Sequence, residues 1–245
     1  GEQSAWQLKG TPIEAGFLRV VTGIMPTEKL LFLAREKKTT VNTLLAAIIM
    51  QALMIQKEGT KRQKRRPVKL SLPVNLRKYY GSATLRNFSF YVNVPVQTGH
   101  GLDGLDDLIT YISHYMGLET MEPQLNARFS ANVKAEQNKL LRAAPLFLKV
   151  LVLRMMYHMT GERYITSTLT NLGNIKLPAE MAKQVQRMDV VLGSAQKTPI
   201  GAAVISCNGH TCLSFSKTIR ETGVERHVFT TLIKLGVPVK IESNE

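Results

Sequence analysis

Cysteine is scarce in this chain: Cys207 and Cys212 are the only two among 245 residues. So few thiols exclude a disulfide framework and fit free thiols in a reducing compartment. Aromatic residues make up only 7% of the sequence, and none interleaves with the basic run Lys61-Arg62-Gln63-Lys64-Arg65-Arg66. A stacking platform for single-stranded nucleic acid is thereby disfavoured. Acid is also in short supply, because 18 Asp and Glu face 32 Lys and Arg and leave a formal charge of +14. That excess favours anionic company: phosphorylated small molecules, acidic carrier proteins, nucleic acid or anionic membranes. Long hydrophobic runs are missing. The longest, from Pro145 to Met159, is interrupted by Lys149 and Arg154. It falls short of the ~20 apolar residues that a membrane span needs, so a buried helix is expected there, with Met155, Met156 and Met159 as core filling. No basic segment followed by an apolar run opens the chain, so no secretory signal is visible and a cytoplasmic location is expected. Gly1 in place of methionine points to a chain that begins inside a longer one.

Signatures of the commoner chemistries are equally thin. The five histidines, His100, His114, His158, His210 and His227, lack zinc-ligand spacing and an accompanying cysteine or carboxylate cluster, so no metal site is expected. No glycine-rich phosphate loop follows a strand pattern, no Gly-x-Ser-x-Gly elbow occurs, and the cysteines do not sit at a helix start.

What the sequence does contain is a core. With 44% hydrophobic and 20% charged residues, and no linker or internal repeat, 1–245 reads as a single lobe. Thr27 and Thr40 are placed to cap two helices, the second carrying Val41, Leu44, Leu45, Ile48, Ile49 and Ala52 at helical spacing. Val68, Leu70, Leu72 and Val74 alternate with Lys69, Ser71 and Pro73 as in a half-buried strand, and the basic run becomes the loop before it. Phe88, Phe90, Val92 and Val94 repeat the alternation, with Tyr91 and Asn93 on the opposite face. Helices are predicted from Leu105 to Met116 and within 123–142 and 145–159. Strands are predicted at 165–171, 188–193, 200–207 and 210–217, the last two joined by an Asn208-Gly209 hairpin. Thr222-Gly223-Val224-Glu225 has capping-box spacing before a helix bearing Val228 and Leu232, ahead of a strand at 237–242. This order describes an α/β lobe with a mixed sheet covered by helices.

Three segments go further: PVNLRKYYGSATLRNFSFYVNVPV at 73–96, FSANVKAEQNKLL at 129–141 and TSTLTNLGNIKLPAEM at 166–181. Together they resemble the condensation-domain and alcohol-acetyltransferase-like branch of the chloramphenicol-acetyltransferase-like, CoA-dependent acyltransferases. The resemblance implies one lobe, the carboxyl-terminal one, of a two-lobed fold that encloses a tunnel. It also implies that the catalytic His-His-x-x-x-Asp-Gly motif belongs to an amino-terminal lobe absent here, which would be the chain's partner. His100-Gly101-Leu102-Asp103-Gly104 imitates the end of that motif, but its His and Asp are one residue too close. No catalytic residue is therefore expected in this chain.

By the same resemblance, Asn171, Arg77, Ser167, Asn75 and Asn93 are candidates for the tunnel wall, orienting a CoA or phosphopantetheine thioester, with nothing bound covalently. Read as residues alone, they equally suit hydrogen bonds that tie strands and loops together. Lys61, Arg62, Lys64, Arg65 and Arg66 are candidates for docking phosphates or an acidic carrier protein, or form a solvated loop. The implied activity is O- or N-acyl transfer by the complete enzyme and none by this chain alone. The alternative is a non-enzymatic binding module that works through its basic surface. Separated from a second lobe, the strands of 188–217 are expected to expose edges and favour a homo-oligomer by exchange of the Asn208-Gly209 hairpin.

Overall fold

A computed structural model describes residues 3–60, 65–99, 101–137, 145–151, 154, 162–193 and 198–244. Its elements begin β1 (Arg19–Pro26), α1 (Thr27–Glu36), α2 (Val41–Glu58), β2 (Val68–Asn75), α3 (Arg77–Tyr80) and β3 (Ser89–Val96). They continue α4 (Leu105–Glu119), α5 (Glu122–Gln137), β4 (Ser167–Ile175), α6 (Ala179–Gln184), β5 (Ile200–Cys207), β6 (His210–Lys217), α7 (Gly223–Lys234) and β7 (Lys240–Ser243). Seven strands form one mixed sheet in the order β3-β2-β4-β5-β6-β1-β7. The pairs β2–β4 and β4–β5 are parallel and the remainder antiparallel. The expected α/β lobe with a mixed sheet is the observed architecture.

The core lies between the sheet and α2. This helix is apolar nearly all round, which suits burial on every side, and Leu44 to Met50 are wholly enclosed. Thr40 caps it as expected, its hydroxyl accepting from Thr43 N at 3.1 Å. Val68, Leu70, Leu72 and Val74 of β2 join the same core, as do Val92, Val94 and Val96 of β3 and Leu108 and Ile112 of α4. α7 packs on this side too, with Phe229 edge-on to Phe215 of β6. It comes so near that a Cβ on Gly23 would meet the Phe229 ring at 2.3 Å. The hairpin between β5 and β6 turns at Asn208 and Gly209, φ 47° and 78°, the positive pair that a two-residue turn with the twist of its strands requires.

Several expectations are corrected. Residues 19–26, not predicted as a strand, form β1 at the heart of the antiparallel half. Residues 188–193 are extended but unpaired. Thr27 does not cap α1: Pro26 holds that position, and the Thr27 hydroxyl bonds Thr211 at 2.9 Å. Thr222 makes no capping bond, its backbone (φ −113°, ψ 12°) lying outside the extended conformation of a capping residue, and the Glu225 carboxylate is drawn into a buried ion pair with Lys217 of β6. Nor do the strands of 188–217 offer an edge. β5 is held between β4 and β6, and β6 between β5 and β1, so the sheet edges are β3 and β7. Hairpin exchange would break two ladders at once and is not a low-cost route to a dimer. Finally, residues 146–151 are helical yet exposed, with Leu146 at 75% and Phe147 at 72%, where a buried helix was expected. Apolar composition supplies a surface to cover but not the layer that covers it. Met155, Met156, Met159 and His158 lie outside the described residues.

Candidate functional site

Strand alternation sends the odd-numbered residues of β2 and β3 away from the core. On that side of the sheet, among the described residues, the cover is extended chain rather than a helix layer. Residues 185–193 form a strap over β5, β6 and β1: Met188 and Val190 pack on Ile24, Ile205 and Cys212, and Leu192 lies over Gly201. Arg187 clips the strap to β7 through both oxygens of Glu242, at 3.1 and 2.5 Å. That hydrogen bond, aided by Lys240, holds the Glu242 carboxyl down to about 2. Burial under the strap, followed by a hydrogen bond with Asp189, pushes the Cys212 thiol up to about 12.

Over β3, β2 and β4 this side is polar: Tyr91 is exposed, Asn93 and Thr168 are half-buried, and Lys69 and Ser71 of β2 are buried. Register places Asn93 opposite Ser71, and Ser71 beside Thr168, so three polar side chains from three strands share one row. Beyond them Gly201 faces Ser216. Asn93 lines a cleft of about 650 Å3 along the free edge of β3, together with Lys69, Tyr91, Tyr115, Glu119 and Arg128. Its Oδ1 is buried without a hydrogen-bond partner. An unpaired buried acceptor is costly and uncommon in a folded protein, which marks it as a position kept for something other than stability. Arg128 stacks over Phe90 at 5.4 Å and pairs with Glu119 at 2.5 Å, giving the cleft a fixed rim. Lys69, 3% exposed, lies over the Tyr164 ring at 5.7 Å.

The five candidate wall residues do not converge. Asn75 accepts from the Arg77 backbone N–H at 3.1 Å, and the Arg77 guanidinium donates to the carbonyls of Thr84 and Arg86 at 2.7 and 2.5 Å. This pair fastens the loop between α3 and β3. Ser167 is buried, donating to the Ile200 carbonyl at 2.9 Å. Asn171 accepts from Gly173 N at 2.8 Å where the β4–β5 register shifts. Asn93 alone of the five stands in the open cleft. Sequence reading did not single out its row-mates Ser71 and Thr168; the alternation of β2 was the available signal for Ser71. Of the basic run, Arg65 and Arg66 are exposed, and Lys61, Arg62 and Lys64 lie outside the described residues, as does His100.

No protein-family model and no curated protein matches the sequence. Solved structures do match. A trichothecene 15-O-acetyltransferase from Fusarium sporotrichioides aligns over 96% of this chain and 48% of its own, at 10% identity and TM-score 0.56. A wax ester synthase/diacylglycerol acyltransferase from Marinobacter aquaeolei VT8 aligns over 95% and 53%, at 11% identity and TM-score 0.54. The condensation domain that mediates chain release from the enacyloxin polyketide synthase aligns over 95% and 44%, at 12% identity and TM-score 0.51. The chain thus spans about half the length of these three structures, and over that half it shares their fold.

Proposed function

We propose that this chain is the carboxyl-terminal lobe of a thioester-dependent acyltransferase and supplies one wall of the transfer site, with the catalytic base on the other lobe. The observation that carries this reading is the polar row Asn93, Ser71 and Thr168 on the side of the sheet where, among the described residues, no helix layer lies. A wall of that kind is what a second lobe would close into a tunnel. In the reaction, a histidine of the other lobe takes the proton of an alcohol or amine as the oxygen or nitrogen attacks the thioester carbonyl. The tetrahedral intermediate collapses by breaking the C–S bond, and the same proton passes to the departing thiolate. The residues of this chain hold the reactants in line and keep water out, which supplies the alignment part of the rate enhancement. Donors are CoA or carrier-protein thioesters.

The test is reconstitution. The coding region upstream is joined to this chain, and thiol release from acyl-CoA is followed over a panel of alcohols and amines. Turnover only by the joined protein is expected. Turnover by this chain alone, or none after the lobe carrying His-His-x-x-x-Asp-Gly is restored, would overturn the reading.

A further inference from the structure

The two edges of the sheet differ in length: β7 offers four residues and β3 eight. A long open edge recruits other chains through its unpaired backbone groups. Where those groups point on β3 follows from the register. Thr166 N donates to the Lys69 carbonyl at 2.8 Å, and Lys69 N donates to Thr166 Oγ1 at 3.1 Å, so the backbone of Lys69 faces β4. Pro95 lies opposite Lys69 and therefore faces the other way, out of the sheet, where the Tyr111 hydroxyl donates to its carbonyl at 2.7 Å. Asn93 and Tyr91, two and four positions back along the strand, face outward with it. Their N–H and C=O groups meet no backbone partner among the described residues. Pro95 closes this run of free groups, since it has no N–H to offer.

Both residues line the 650 Å3 cleft, whose walls include Tyr115 and Glu119 of α4 and Arg128 of α5. The buried, unpaired Oδ1 of Asn93 is a further acceptor beside the free backbone groups. A second copy of the chain is a poor occupant, because its β3 would arrive with α4 tied to Pro95 and α5 stacked on Phe90. A single extended segment brings no such layer. Charge sets its composition: the cleft lining carries Lys69 and Arg128 against Glu119 alone. At the end lined by Gln3 and Pro67, the Gln3 and Gln97 amides donate to the Arg65 carbonyl at 3.1 and 3.2 Å, which fixes another exposed cation beside the cleft. We propose that the β3 edge accepts an extended, acidic segment of a partner protein as an added strand, hydrogen-bonded to the backbone of Tyr91 and Asn93. In such pairing the main chain supplies affinity and alternate side chains supply specificity. Side chains turned toward Phe90 and Tyr115, which pack on the core, would be apolar, and those turned toward Tyr91 and Asn93 acidic. The inference does not depend on acyl transfer.

The probe is a fluorescein-labelled octapeptide of alternating valine and glutamate, titrated with the whole chain and followed by anisotropy. Saturable binding that weakens with salt is expected, and none for the same peptide N-methylated along its backbone. Lysine in place of glutamate should lower affinity about tenfold or more. Tyr91→Pro removes one outward N–H and no ladder bond, as Pro95 already does in the same register, and should lower affinity about tenfold. Tyr91→Ala keeps that N–H and should bind within about threefold of the parent. Should Tyr91→Pro disturb the strand, amide exchange in the parent chain decides: the Tyr91 and Asn93 amides should exchange at least about tenfold more slowly in the saturated complex. No saturable binding, equal binding of the N-methylated peptide, or unchanged exchange at both amides would overturn strand addition. A lysine peptide that binds as tightly as the glutamate peptide would overturn the acidic partner. Displacement of the peptide by an oligonucleotide of equal charge, with exchange at Tyr91 and Asn93 left fast, would make the cleft a polyanion site and sink the peptide.

Discussion

Val68, Leu70 and Leu72 of β2 lie beneath α2, while Lys69 and Ser71 on the same strand face away from it, Lys69 lining the cleft at the β3 edge and Ser71 in the polar row between Asn93 and Thr168. The helix side is apolar and its buried charges have partners, Lys217 pairing with Glu225 and Lys57 of α2 donating to the Thr98 hydroxyl. The opposite side carries hydroxyls, an amide with an unpaired oxygen and a lysine stacked on a tyrosine. A sheet covered equally on both faces would repeat the apolar pattern on each. The contrast teaches that folding free energy is concentrated on the helix side, and that the other side is arranged for contact with something outside this chain.

That contrast can be broken by mutation, and the largest effect should come from the helix side. Glu225→Ala strands the Lys217 ammonium in the core, and about 3–5 kcal/mol of stability should be lost, read from urea unfolding. A loss under 1 kcal/mol would mean that Lys217 finds water or another acid. On the polar side, Asn93→Leu removes an unsatisfied acceptor. Stability should hold or rise by up to about 1 kcal/mol, while transfer by the reconstituted enzyme falls about tenfold or more. A variant that loses stability and keeps activity would invert the assignment of the two sides. Helix starts give a smaller, sharper pair: Thr40→Ala should cost about 1 kcal/mol, and Thr222→Ala only a few tenths.

The strap supplies a prediction in pH. Glu242 titrates near 2 in the folded chain against 4.5 for an unperturbed carboxyl. The clip to Arg187 is therefore fully present above pH 4.5 and is lost as pH falls through 2. Hydrogen exchange at 185–193 should quicken across that window while exchange in α2 does not. Loosening the clip by Glu242→Gln should let thiol reagents reach Cys212 sooner at neutral pH; unchanged labelling would place the hold on Cys212 elsewhere.

The parts of this architecture that were legible in sequence are those whose signals are local. α2 announces itself by spacing and by Thr40, β2 and β3 by alternation, and the hairpin by Asn208-Gly209. β1 escaped because a central strand buried on both faces loses its period-two pattern: Val21 and Met25 face one side, Thr22 and Ile24 the other. The strap was misread as a strand because Met188, Val190 and Leu192 alternate as a strand would, yet what holds it is a clip from a distant glutamate. Within the site, Asn93 could be found from its own strand. Its neighbours could not, since only the register between β2 and β4, two elements far apart in sequence, brings Ser71 next to Thr168. Glu225 has the spacing of a capping box but its carboxylate pairs with a lysine at the end of β6.

Because β1 pairs with β6 and β7, Arg19 lies across from Lys217 and Val21 across from Ser243. The first strand of this sheet to be made therefore waits for nearly the last before it gains a single ladder bond. Closing so long a loop makes for slow folding, and until it closes the apolar face of α2 has only part of its floor. During synthesis the nascent chain would expose that face for as long as translation takes to reach β6, the interval in which a chaperone or a premature contact decides its fate. Moving β1 by circular permutation to follow β7 would turn its most distant pairing into a hairpin, and refolding should accelerate even though the finished sheet is unchanged.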